Sequence, residues 1–127
     1  MLLTGLVTLA AIALYFVMGL RVAMARGRYD VKAPAVTGHD IFERHYRVHL
    51  NTLEWMPLFL VPLWLFAFHV SDRYAALIGL AWIAGRALYM VSYVRDPASR
   101  GVGFSIQMVA CAVLFVGSLV GIVLRMT

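Results

Sequence analysis

An all-α, integral membrane four-helix bundle is the fold class this chain predicts, and three observations carry that expectation. Of its 127 residues, 63% are apolar and only 13% charged, about half the charged fraction usual in soluble domains. Four stretches with one charge or none follow one another, each long enough to cross hydrocarbon. The mean hydropathy of +0.86 leaves too little polar surface to keep so small a domain in water. These features argue against a soluble fold and a disordered tail. The net charge of +5 and pI near 9.9 suit a nucleic-acid partner in a soluble protein. In so apolar a chain the basic residues belong at anionic lipid headgroups, and no nucleic acid is expected. The single cysteine, Cys111, excludes an internal disulfide and a multi-thiolate zinc site.

Helix 1 is expected over about residues 1–24. Met1 to Leu20 carries no charge and at about 1.5 Å per residue spans roughly 30 Å. Ala23-Met24-Ala25 resembles a signal-peptide cleavage site, but the apolar run is too long for one. Arg21, Arg26 and Arg28 also follow the run, where a signal peptide carries its charges in front. The segment reads as a retained helix.

Helix 2 is expected over about 40–70. Asp40 with Glu43 three residues on makes a capping-box-like start. The apolar part is Trp55 to Ser71, so the first turns stand at or above the headgroups. Pro57 and Pro62 each remove an intrahelical bond and predict a bend. Ser71-Asp72 then caps helix 3, over 73–95, whose apolar run one charge interrupts, Arg86. Asp96-Pro97 ends it, because the residue before proline resists the helical region. Helix 4, over 103–125, has an uncharged run from Gly103 to Leu124. Residues 1–127 thus form a single four-span domain.

The positive-inside rule orients this bundle. Arg21, Arg26, Arg28, Lys32, Arg44, Arg47, Arg95 and Arg100 fall on the side of the loops after helices 1 and 3. Only Arg73 and Arg125 fall on the other. The crowded side is expected to be cytoplasmic, with both termini on the opposite side.

Intramembrane charges are expensive and usually functional. Arg47, Asn51 and Glu54 on helix 2 point within about 60° of one another at 100° per residue. Arg86, Tyr89 and Tyr93 share one face of helix 3, and Arg100 lies just beyond that helix. One reading is a neutralising Glu54–Arg86 pair, with Asn51 and the tyrosines as hydrogen-bonding glue between helices. The other is an anionic ligand, because Arg47, Arg86 and Arg100 outnumber Glu54 and planar guanidinium forks bind carboxylates bidentately. His49 lies on the far side of helix 2 from Arg47. Either it faces a second subunit interface in an oligomer, or it meets water among the headgroups. His45 and His49 have a zinc-chelating spacing but no suitable third ligand, so no metal is expected. Cys111 reads as a small buried hydrophobe. A proton-coupled four-span exporter usually carries an acid in helix 1, and Met1 to Leu20 has none.

At Phe42-Glu43-Arg44, Arg47-Val48-His49-Leu50-Asn51-Thr52-Leu53-Glu54 and Pro57-Leu58-Phe59 the chain resembles the MAPEG family, the membrane-associated proteins of eicosanoid and glutathione metabolism. Gly85-Arg86, Tyr89, Tyr93 and Arg100 extend the resemblance, as do Pro34, Thr37 and Gly38. The resemblance implies a homotrimer with glutathione as co-substrate at each subunit interface, near the cytoplasmic surface. It implies that Arg47, Asn51, Glu54, Tyr89 and Tyr93 hold the tripeptide, with Arg86 nearby. Glu54 would take the amino group and the arginines the carboxylates. Arg100 matches the catalytic arginine that stabilises the thiolate. The chain departs at Trp55, where a tyrosine is common, and at His49, where several members have glutamine; His49 keeps one hydrogen-bond donor for the ligand. Arg21 or Arg26 corresponds to the family's arginine from helix 1. The expected activity is that of a membrane-bound glutathione transferase and peroxidase in detoxification. Its second substrate is a hydrophobic electrophile or lipid hydroperoxide from the bilayer. The alternative is a non-catalytic membrane protein that binds a lipid or a membrane-protein partner.

Overall fold

The computed structural model describes residues 1–127. It is all-helical: α1 (Leu2–Arg28), α2 (Asp40–His69), α3 (Asp72–Arg95) and α4 (Gly101–Met126), with a 3-10 turn, Pro97–Arg100, leading into α4. All four helices are long and apolar enough to cross a membrane. Large apolar side chains such as Leu6, Phe16, Leu58, Leu80 and Val109 stand exposed on their outer faces, as a lipid-facing surface requires.

Two helices depart from their expected bounds. α1 runs to Arg28 instead of ending near residue 24, because Arg26 and Arg28 in its last turn complement the negative end of the helix dipole. Asp30, at φ 52°, then reverses the chain in the left-handed region, which a short polar residue tolerates. α4 begins at Gly101 instead of 103, because the turn before it is already wound. The Asp96 carboxylate accepts from Ala98 N (3.0 Å), and Ser99 Oγ donates to Ser92 O (3.0 Å) and Asp96 O (2.7 Å). α2 is one continuous helix through Pro57 and Pro62.

The helices alternate in direction, α2 and α3 being joined by only Val70 and Ser71. α2 and α3 each pack against both other helices. Their main core gathers Phe59, Leu63, Trp82 and Leu114, with the Phe59 and Trp82 rings stacked at 4.0 Å. Polar ties pin each end of the bundle. At one, the Asp72 carboxylate accepts from Leu3 N (3.3 Å), Thr4 N (3.0 Å) and Thr4 Oγ1 (2.6 Å), satisfying first-turn donors of α1. At the other, Arg44 Nη1 donates to Val94 O (3.1 Å) and Arg95 O (3.2 Å), satisfying the last carbonyls of α3. The loop after α1 and the end of α3 therefore share one end of the bundle.

α3 and α4 cross closely where the candidate residues Arg86, Tyr89 and Arg100 lie. A Cβ on Gly103 would sit 2.5 Å from Tyr89 N and 2.7 Å from Gly85 O, and one on Gly85 would sit 3.0 Å from Gln107 N. At Gly103 every obstruction is backbone, so none can yield by turning a side chain. Gly103→Ala is therefore expected to destabilise the bundle by about 1–3 kcal/mol, the usual cost of overpacking. Thermal unfolding in detergent, compared with Gly101→Ala at an open position, measures it.

Candidate functional site

A concavity of about 320 Å³ opens between α2, α3 and the start of α4. Asn51, Glu54 and Trp55 line it from α2, Arg86 and Tyr89 from α3, and Arg100, Gly101 and Phe104 from the α4 side. Helical periodicity places Asn51 and Glu54 on one face and Arg86 and Tyr89 on another. The glycine-mediated crossing brings Arg100 up to both.

Arg86 is the most constrained of these side chains. It is 0% exposed, and only one of its guanidinium nitrogens has a partner: Nη2 donates to Asn51 O at 3.1 Å. Nε and Nη1 are buried without an acceptor. The guanidinium carbon lies 4.5 Å from the Tyr89 ring centroid and 6.0 Å from that of Trp82, so aromatic faces solvate the charge in part. Glu54 does not neutralise it: no lysine or arginine side chain in the chain has a carboxylate within ion-pair distance. The Glu54–Arg86 pair is thus not formed, and the carboxylate is exposed. Asn51 Nδ2 donates to Tyr89 Oη at 2.8 Å, which fixes the phenol against the guanidinium.

Arg100 occupies the N-cap position of α4, where no side-chain hydrogen bond caps the helix and no acid occupies the first turn. Its guanidinium, without a carboxylate partner, raises the potential where it faces the cavity, and it favours an anion.

The structure divides the other sequence-derived residues. Arg47 and Tyr93 line a second concavity of about 350 Å³ with Thr37, Asp40, Glu43, Arg44 and Tyr46. The two concavities are neighbours through α3, since the Tyr89 and Tyr93 rings lie 5.5 Å apart. His49 reaches neither. Its ring stacks on Tyr15 of α1 at 4.5 Å and abuts Gly19, where a Cβ would meet Nε2 at 3.3 Å. Arg26 holds the loop after α1, donating to Ala35 O (2.6 Å) and lying 4.7 Å from the Phe42 ring centroid. Arg21 lines a separate concavity with Arg28 and His45.

Sequence reasoning missed Phe104 and Gly101 as lining residues. Phe104 stands one helical turn beyond Arg100 and meets Trp55 edge-on at 5.7 Å. Its apolar neighbours in an uncharged span hid that position. The only signal was its four-residue step from Arg100, and that step acquires meaning once α4 is known to begin at 101.

The family model described as "MAPEG family" matches residues 4–120. An uncharacterized protein of Synechocystis is 42% identical over 118 residues, covering 93% of this chain and 86% of that one. Human microsomal glutathione S-transferase 2 is 36% identical over 103 residues, 81% of this chain and 70% of the relative. Bovine leukotriene C4 synthase is 37% identical over 94 residues, 74% of this chain and 63% of the relative.

A buried guanidinium without a counter-ion lowers stability, and replacing buried charge with an apolar side chain of similar volume is often stabilising by about 1–4 kcal/mol. Arg86→Met is accordingly expected to raise the thermal midpoint of the ligand-free protein in detergent while weakening anion binding. A lowered midpoint would show that the Asn51 and Tyr89 contacts outweigh the desolvation of Arg86.

Proposed function

The chain belongs to the MAPEG family, and from that premise we propose that it is a glutathione transferase that activates the tripeptide's thiol beside Arg100. The observation that carries this reading is the unneutralised pair of guanidiniums, Arg86 and Arg100, with Glu54, Asn51 and Tyr89 around one concavity. Glutathione offers complementary groups: two carboxylates, one ammonium and one thiol. In this reading Arg47 in the adjoining concavity takes a carboxylate, and the buried Arg86 lends its charge from beneath Asn51 and Tyr89. Glu54 takes the ammonium, while Asn51, Tyr89 and Tyr93 supply neutral hydrogen bonds.

A free thiol of pKa about 8.5 is only a few per cent ionised at neutral pH. A guanidinium beside the sulfur stabilises the thiolate, each unit of lowering corresponding to about 1.4 kcal/mol. The thiolate then attacks an electrophilic carbon of an apolar substrate. A carbon–sulfur bond forms, and the displaced electron pair leaves with a halide or stays on an epoxide oxygen that is then protonated. With a lipid hydroperoxide, attack on oxygen breaks the O–O bond and releases an alcohol. A second glutathione then reduces the sulfenic acid to disulfide and water. The protein supplies position and charge and needs no nucleophile of its own.

The same reading makes the protein a homotrimer with its sites between subunits. Arg47, Glu54 and Arg100 are exposed on the single chain, so a neighbouring subunit is needed to close the concavity against water. His49, on the opposite flank of α2, then belongs to the side turned toward a neighbour's site. The basic end of the bundle faces the cytoplasm, with both termini across the membrane.

The test is conjugation of 1-chloro-2,4-dinitrobenzene with glutathione by protein in liposomes. Arg100→Ala is expected to lower kcat by about 10–100-fold, equivalent to one or two units of lost thiol activation, with a small change in glutathione affinity. The thiolate absorbance of the bound tripeptide should fall with it. A protein that binds no glutathione and forms no thiolate is the non-catalytic lipid- or partner-binding alternative.

A further inference from the structure

We propose that the concavity between the cytoplasmic-side ends of α1 and α2 is a binding site for the phosphate group of an anionic phospholipid. It measures about 240 Å³ and is lined by Arg21, Met24, Ala25, Arg28, Tyr29 and His45. It shares no residue with the two concavities of the proposed glutathione site.

The donors converge from two helices and the loop between them. Arg21 and Arg28 are seven residues apart on α1, within about 20° of the same face at 100° per residue. His45 adds an imidazole from α2 and Tyr29 a phenol from the loop. The frame is rigid where it needs to be. Tyr29 is stacked on His39 at 3.9 Å, Arg28 lies 5.7 Å from the Tyr29 ring centroid, and Ala25 is packed with Val22, Val31 and Phe42. Neither arginine has a carboxylate partner within the chain. Two unneutralised guanidiniums with two further hydrogen-bonding side chains suit a phosphate diester, whose non-bridging oxygens share one negative charge.

Depth and surroundings point to a lipid and not to a soluble phosphate. Arg21 lies 19 residues beyond Leu2, roughly 29 Å along the helix, about the thickness of the hydrocarbon. The cavity therefore sits at headgroup level. Phe16 and Leu20 below it recur at four-residue steps with the lining residue Met24 on α1, and all three are exposed. Four-residue spacing puts them in one continuous apolar stripe, along which an acyl chain of the same molecule can lie. Basic pockets between membrane helices on the cytoplasmic side are a known mode of anionic headgroup binding.

The experiment is native mass spectrometry of the full-length protein released from nanodiscs of equimolar phosphatidylcholine and phosphatidylglycerol. The wild-type chain is expected to retain phosphatidylglycerol in preference to phosphatidylcholine by about tenfold or more. Arg21→Gln with Arg28→Gln should abolish that preference, while Arg21→Lys with Arg28→Lys keeps most of it. Lys32→Gln with Arg95→Gln removes the same charge outside the cavity and should leave the preference intact. If the double glutamine variant fails to fold, each single glutamine variant should still lose about threefold. An equal loss in the Lys32/Arg95 variant would reduce the effect to surface potential and overturn the site. Retention of phosphatidylcholine as readily as phosphatidylglycerol would overturn it too. So would binding of glycerol phosphate by the detergent-solubilised protein as tightly as of the lipid, because that result identifies a soluble phosphate as ligand.

Discussion

A guanidinium buried to zero exposure in an apolar bundle, with no carboxylate beside it, is the constraint around which the rest is arranged. Desolvating such a charge is costly, and little in the interior repays it. The Asn51 carbonyl accepts one N–H of Arg86, and the faces of Tyr89 and Trp82 receive part of the charge. Gly85 and Gly103 let α4 close over this layer. The layer extends into α4, where fully buried Gln107 has neither amide atom hydrogen-bonded and the Trp82 Nε1 is likewise without a partner. A fold selected for stability alone would fill these positions with leucine.

Charge elsewhere follows the same logic. The chain has 11 lysines and arginines against 6 acids, and none of those basic side chains forms an ion pair. Two are spent on backbone: Arg44 on the last carbonyls of α3 and Arg26 on the loop after α1. Others keep their guanidiniums free of carboxylates, Arg100 beside the cavity that Arg86 also lines and Arg21 with Arg28 in another. A basic excess of this kind orients a bundle in the membrane. Its unneutralised members also make each concavity at that end attractive to anions.

Much of the fold was legible because membrane spans announce themselves by length and absence of charge. The four helices and the Asp96-Pro97 break needed only those signals and the chemistry of caps. The bounds that shifted, at Arg28 and Gly101, did so where a charged or turn-forming residue sits inside a helix end. There a reading based on hydropathy stops short, although dipole and hydrogen-bond geometry carry the helix on. Within the site, periodicity grouped Asn51 with Glu54 and Arg86 with Tyr89, because residues on one face of one helix stay together in any packing. The grouping of Arg47 with Asn51 did not hold within a single concavity. A stripe seven residues long covers roughly 10 Å, enough to cross from one hollow into the next.

The sequence by itself determined four helices, their alternation, the end at which positive charge collects, and the residue types able to bind a carboxylate. Those follow from composition and from local periodicity, which depend on neighbours along the chain. Only the tertiary structure decided that Glu54 leaves Arg86 unpaired, that His49 stacks on Tyr15, and that Arg44 caps α3. The same packing seats Arg100 at the mouth of the cavity and puts Arg21 with Arg28 and His45 in another. Each of these joins groups from different helices. The azimuth and depth at which two helices meet are fixed by close contacts such as Gly103 against Tyr89, and no pattern within either helix encodes them.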